Sequence, residues 1–387
     1  MDKSMTVGVI GAGTMGIGIA QVAAQAGHNV VLYDAREDVV KKAVADLLGT
    51  LDKLAAKGKI SGEEAAATHG RIKPVNNLKA LSGCGLVMEA IVEDLAIKKK
   101  VFADLEKVTS AGTILATNTS SLSITAIAAA CSDPSRIIGL HFFNPAPILP
   151  LVEVVPGLAT DPKLVAQSSQ LMASWKKVPV ICKDTPGFIV NRVARPFYGE
   201  ALRIHEEGIA DIPAIDRAMK EIGGFKMGPF ELMDLIGNDI NFAVTESVFR
   251  AFFFDPRYKP SITQQRMVEA GWLGRKSGRG YYRYDQGQEQ GQEQDHARGQ
   301  EIVERILVML INEAAEALNL GIASRDDIDL AMTKGVSYPK GLLKWADEKG
   351  IAECLTKLEA LEEQYSEDRY RPSPLLRRMA REGTTFY

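Results

Sequence analysis

In the stretch RIIGLHFFNPAPILPLVEVV, residues 136–155, one histidine, His141, closes an apolar run and one glutamate, Glu153, sits inside the next. Each is costly to bury without a partner, and a histidine at a strand end is most often a satisfied core residue. As a pair the two types suit proton transfer. Imidazole titrates near neutral pH, and a carboxylate behind it can hold one tautomer and stabilise the imidazolium that forms.

A reason to move a proton there lies upstream. VGVIGAGTMGIGIA places Gly11, Gly13 and Gly16 in GxGxxG spacing, with Thr14 and Met15 among them, directly after an apolar run and at the start of a helical pattern. Such glycines permit a tight turn and close approach of backbone to a pyrophosphate, which the helix N-terminus attracts. The next strand-like run, NVVLYD, ends in Asp34, at the spacing of about 20 residues where an acid meets the adenosine ribose hydroxyls. Its charge repels a 2′-phosphate, so NAD is favoured over NADP, with nearby Arg36 keeping that a preference. Hydride leaving a secondary alcohol also requires loss of the hydroxyl proton. The ligand crevice of an open parallel sheet lies at the carboxyl ends of its strands, where RIIGLH delivers His141 and TILATNTSS delivers Asn118 and Ser120.

The elements that must position these residues alternate: MTVGVIGAG, NVVLYD, LVMEAI, TILATNT, RIIGLHF, PLVEVV and VPVICKD are β-branched runs separated by helical patterns, including one long amphipathic helix after Asp34. That alternation predicts an α/β fold with a Rossmann-like, doubly wound, mostly parallel sheet. After DTPGFIVNR the pattern is helical only. The expected organisation is a nucleotide-binding domain over 1–185, a helical domain over 186–285, a Gln/Glu/Gly-rich linker over 286–300 and a second helical domain over 301–387.

The two helical segments repeat each other. EALRIHEEGIA from Glu200 aligns with EAAEALNLGIA from Glu313, an offset of 113 that also relates Asp216 to Asp329 and Met219 to Met332, while Tyr258 and Tyr370 are 112 apart. Arg192 meets Arg305, but Asn191 meets Glu304. If Asn191 takes part in chemistry its counterpart cannot, which makes the second copy structural.

Composition excludes several classes. A net charge of -3 leaves no basic stripe for nucleic acid and no polybasic membrane patch, and no apolar run is long enough to span a bilayer. The four cysteines show no CxxC pair and no metal-ligand spacing with histidine, so no metal site is expected and a reducing, cytoplasmic setting is.

GAGTMGIGIA, EAIVED, NTSSLSIT, GLHFFNPAPILPLVEVV, DTPGFIVNR and MGPFELMDLIG, in this order over the first 285 residues, resemble the L-3-hydroxyacyl-CoA dehydrogenases, larger members of which carry the helical domain twice. The resemblance implies NAD-dependent, reversible oxidation of a (3S)-3-hydroxyacyl-CoA to the 3-oxoacyl-CoA in fatty-acid or aromatic-acid degradation. It makes His141 the base and Glu153 its partner, lets Ser120 bond the substrate oxygen, and has Asn191 position the acyl portion. Glu93, Lys98, Asn144 and Lys276 become cofactor contacts; Thr50, Lys57, Lys98 and Ser120 become contacts to the CoA thioester. It further implies either a homodimer or a monomer in which the second helical copy makes an internal pseudo-dimer. Two other readings are a non-catalytic, crystallin-like or binding protein and a dehydrogenase of a non-CoA hydroxy acid. The presence of all four polar residues opposes the first, and the CoA-matching Lys98 opposes the second.

Overall fold

The computed structural model describes residues 5–285 and 296–387, and the chain divides into two compact units, Met1–Thr185 and Pro186–Tyr387. The first unit is built on one sheet of eight strands: β1 (Val7–Ile10), β2 (Val30–Tyr33), β3 (Ile72–Val75), β4 (Leu86–Glu89), β5 (Ile114–Thr117), β6 (Ile137–Phe142), β7 (Leu151–Pro156) and β8 (Val178–Ile181), in the order β3-β2-β1-β4-β5-β6-β7-β8. Every pairing is parallel except β6 with β7. β1 and β4 are buried at every residue, as strands covered on both faces must be, and so read as unbroken apolar runs. The order reverses at β1 and β4, which opens a crevice at their carboxyl ends.

The antiparallel exception brings the candidate pair together. Because β7 begins where β6 ends, the residues near that end face each other across the ladder, and His141 is paired in register with Glu153.

Two features depart from the sequence pattern. β3 was absent from the expected strands: its sequence, IKPV, contains Pro74, which reads as a strand breaker but is tolerated on an edge strand, where its missing N–H costs no ladder bond. The single long helix expected after Asp34 is two, Glu37–Ala56 and Gly62–Gly70, the second started by a capping box between Ser61 and Glu64.

The second unit is helical. Of the expected linker, residues 286–295 lie outside the described residues, and residues 296–300 belong to the helix His296–Asn319 rather than to a linker. Every residue of that helix from Arg305 to Ala317 is buried, as expected for the central helix of an all-helical core. The helix Arg195–Glu206 of the first copy supplies the matching partner.

The two copies seal each other reciprocally. Glu313, from the second copy, accepts hydrogen bonds at 2.5 Å from Arg192 Nε and at 2.5 Å from the Tyr258 hydroxyl, both from the first. Glu200, from the first copy, accepts from Arg305 Nε at 3.1 Å and from the Tyr370 hydroxyl at 3.0 Å, both from the second. Residue i of one copy meets residue j of the other and j meets i, the pattern of an isologous two-fold interface. Within each copy the matching aspartate ties down a helix start: Asp216 accepts from the amides of Phe230 and Glu231, Asp329 from those of Leu343 and Lys344. Among the described residues no helix is long and apolar enough to cross a membrane.

Candidate active site

The glycine turn joins β1 to the helix Thr14–Gln25. Gly11 has φ +96, and a Cβ on Gly16 would lie 1.8 Å from the Gly11 carbonyl oxygen, so both positions demand glycine. Gly13, the N-cap, has open space where a Cβ would stand. No side chain caps this helix, and its first turn carries no acid, so its amide donors point at a position suited to an anion. Asp34, at the end of β2, accepts from the amide of Ala12 at 2.9 Å and from the amide of Arg36 at 3.0 Å, which holds its carboxylate beside the turn. This cradle fits a dinucleotide with an unphosphorylated ribose.

At the neighbouring strand ends a second cluster forms around Glu93. Its carboxylate accepts from the Thr119 hydroxyl at 2.6 Å, the Ser120 amide at 2.9 Å, the Ser120 hydroxyl at 3.3 Å and the Ser121 amide at 3.2 Å. Burial pushes the Glu93 pKa up, but the charge of Lys98 and these hydrogen bonds outweigh it and hold the carboxyl below its usual range. Lys98 itself is 1% exposed, donates to Glu89 Oε1 at 2.6 Å and lies 3.3 Å from Glu93 Oε2. The ammonium expected to contact cofactor and CoA is thus buried between two carboxylates, each of which also accepts hydrogen bonds from the strand-end loops. What Lys98 does is fix Glu93, and through it the loop that carries Ser120.

His141 Nδ1 and Glu153 Oε2 are 2.7 Å apart, with His141 5% exposed and Glu153 fully buried. With Nδ1–H donated to the carboxylate, Nε2 carries the imidazole lone pair. The Phe143 ring packs 4.4 Å from the imidazole, and Asn118 Oδ1 accepts from the Phe142 amide at 2.8 Å, so both sides of the histidine's backbone and ring are held.

Three supporting residues are not among the candidates named from the sequence. Lys177, its pKa pushed down to about 8 by burial, donates to the carbonyls of Ala146 and Leu149 at 2.5 and 2.9 Å. It thereby clamps the loop between β6 and β7, whose exposed Asn144 follows His141. Asp184, the first residue of DTPGFIVNR, accepts from the Ser123 hydroxyl and the amides of Ile124 and Thr125 at 2.8–3.0 Å, anchoring the segment just after Ser120. Thr117, at the end of β5, donates to Glu89 at 2.7 Å.

Of the remaining candidates, Thr50 and Lys57 are exposed at the carboxyl end of the helix Glu37–Ala56, with the Thr50 hydroxyl donating to the Asp46 carbonyl. Asn191 and Lys276 belong to the second unit. Asn191 lies in the short helix Val190–Val193, and Lys276 is paired with Asp239 at 2.6 Å. Its counterpart position in the second copy, Glu304, pairs with Lys349 and Lys357 instead; Glu304 thus matches Asn191 in position and not in chemistry. Among the described residues no cluster of three or more His, Cys, Asp or Glu is placed to hold a metal ion.

The nucleotide turn and the crevice beside it are those of an NAD-dependent dehydrogenase, and the chain belongs to the 3-hydroxyacyl-CoA dehydrogenase family: the family's NAD binding domain matches residues 6–185 and its C-terminal domain matches twice, over 187–284 and 302–385. It is similar end to end to the 3-hydroxyadipyl-CoA dehydrogenase of Escherichia coli K12, 41% identical over 98% of both chains. The mitochondrial hydroxyacyl-coenzyme A dehydrogenase of Rattus norvegicus is 42% identical over 72% of this chain and 90% of its own. The crystal structure of a 3-hydroxybutyryl-CoA dehydrogenase from Escherichia coli K12 superposes with a TM-score of 0.94, at 40% identity and 98% coverage of both chains.

Proposed function

We propose that this enzyme oxidises the 3-hydroxyl of (3S)-3-hydroxyacyl-CoA with His141 as the general base, and that the cross-strand pair of His141 with Glu153 at 2.7 Å is the observation that carries the assignment. The C3–H and O–H bonds break; NAD, when bound, accepts the hydride. His141 Nε2 takes the hydroxyl proton, and Glu153 stabilises the resulting imidazolium. Ser120, held by the Glu93 cluster, bonds the substrate oxygen, Asn191 positions the acyl portion, and the exposed Lys57 and Thr50 meet the CoA phosphates and adenine. Asn144 and Lys276 lie on the nicotinamide side. The assay follows NADH absorbance with acetoacetyl-CoA and 3-oxoadipyl-CoA. Absence of turnover with any 3-oxoacyl-CoA sinks the reading.

Asp34 is the cofactor discriminator in this scheme. Asp34→Ala is expected to weaken NAD binding about ten- to a hundred-fold, because hydrogen bonds to a charged group are worth about 1.5–3 kcal/mol, and to narrow the preference over NADP. Kinetics with both cofactors check it; an unchanged NAD/NADP ratio removes Asp34 from that role.

The reciprocal Arg–Glu–Tyr seals support a monomer whose second helical copy occupies the surface a partner subunit would cover. Light scattering at micromolar concentration is expected to return the mass of one chain, 42.1 kDa, whereas a dimer would contradict it. The four free cysteines support a reducing, cytoplasmic setting.

A further inference from the structure

The second unit contains a cavity of 140 Å³ along one face of the helix Arg195–Glu206, lined among others by Arg195, Tyr198, Gly199, Leu202, Pro260 and Ile262. Arg195 is only 6% exposed, yet no carboxylate pairs with it among the described residues. Its guanidinium stacks 4.9 Å from the Tyr198 ring, and Nη1 donates to Thr245 Oγ1 at 3.0 Å. Among the described residues Nε is buried without an acceptor. One N–H of the guanidinium is thus unsatisfied, an expensive state for a buried cation. Burial lowers the guanidinium's pKa, with only tyrosines acting against it.

The other charges around the cavity cancel. Arg257 is matched by Asp255, Arg203 by Glu367, and Glu313 by Arg192. Glu206, exposed at the rim, is bound by the Ser261 hydroxyl and the Thr263 amide and offsets the exposed Lys259. One buried positive charge is left over.

Gly199 is the second observation. It lies inside the helix, where glycine is destabilising relative to alanine, and a Cβ there would meet nothing within 4 Å. No steric demand explains this glycine; its missing side chain keeps the cavity open.

We propose that this cavity binds a short-chain carboxylate, held by the guanidinium of Arg195, with its alkyl tail against Leu202, Pro260 and Ile262. A guanidinium edge matches a carboxylate bidentately. A single carboxylate neutralises the one surplus charge. The volume is close to the ~150 Å³ that accommodates a benzene-sized guest, which suits a ligand the size of butyrate. This site goes beyond the dehydrogenase reaction and uses none of its residues.

Titration calorimetry of the full chain with sodium butyrate, at constant ionic strength, tests it. The expected result is a saturable isotherm, no binding of the neutral isostere butyramide, and binding at least tenfold weaker in Arg195→Gln. Gly199→Leu keeps Arg195 but fills the cavity, so it is expected to fold and to lose the isotherm; it decides the matter if Arg195→Gln does not fold. Saturating acetoacetyl-CoA should leave the isotherm unchanged. The proposal is overturned by absence of saturable butyrate binding, by equal affinity in a folded variant, by inorganic phosphate binding as tightly, or by displacement with the thioester, which would place butyrate in the substrate site.

Discussion

His141→Gln is expected to lower kcat by about a hundred- to ten-thousand-fold, the range that a positioned general base supplies, with little change in NAD affinity. The separation of the two effects follows from the fold. The nucleotide cradle is made by the turn after β1 and by Asp34 at the end of β2, while His141 stands on β6, three strands from β1 in the sheet. Glutamine keeps an amide donor toward Glu153, so the buried carboxylate is not left unpaired and the variant should fold. NADH fluorescence titration measures the affinity and stopped assay of 3-oxoacyl-CoA reduction the turnover; a variant with near-full kcat would remove His141 from the mechanism. Glu153→Gln should cost less than His141→Gln, because an amide still orients the ring but no longer stabilises the imidazolium.

The parts of this site that were legible in the sequence are those that local spacing determines. Three glycines, a following helix and Asp34 describe a turn whose geometry the backbone nearly dictates, and Gly16 against the Gly11 carbonyl shows why. The pairing of His141 with Glu153 was legible as residue types, while the register that sets them opposite depends on β7 pairing antiparallel with β6, a tertiary fact. The burial of Lys98 was not legible for a physical reason: lysine is the residue least expected inside, and its partner Glu89 stands nine positions earlier, at the end of β4. Lys177 and Asp184 act mainly through backbone groups of distant segments; Lys177 lies in no motif, and Asp184 opens DTPGFIVNR, whose spacing does not show that it reaches the segment 123–125. The polar start of the helix His296–Asn319 read as linker because its composition offers nothing to bury before Ile302, although Gly299 is already covered. The duplication, by contrast, was plain in sequence, and its reciprocal contacts follow from the fact that both copies kept the same Arg, Glu and Tyr.

Those contacts are not equally robust, and the difference is measurable. Arg192, 1% exposed, has Glu313 as its one carboxylate within salt-bridge distance among the described residues, and both its Nη1 and Nη2 lack acceptors. Glu313→Ala therefore leaves a buried cation with nothing opposite it and also orphans the Tyr258 hydroxyl. Breaking a buried pair from one side costs about 3–5 kcal/mol, a large part of the ~5–15 kcal/mol that stabilises a typical domain. In the mirror position Arg305 keeps Glu207, which accepts from Nη1 at 2.8 Å and from Nη2 at 3.0 Å, so Glu200→Ala should lose less. Urea unfolding of the two variants reads the ordering directly. Replacing both partners, Arg192→Met with Glu313→Leu, should recover most of the loss, since an apolar pair carries no desolvation penalty. If Glu313→Ala were as stable as the parent, the seal would be ornamental, and the case for the second helical copy as a built-in partner would lose its energetic basis.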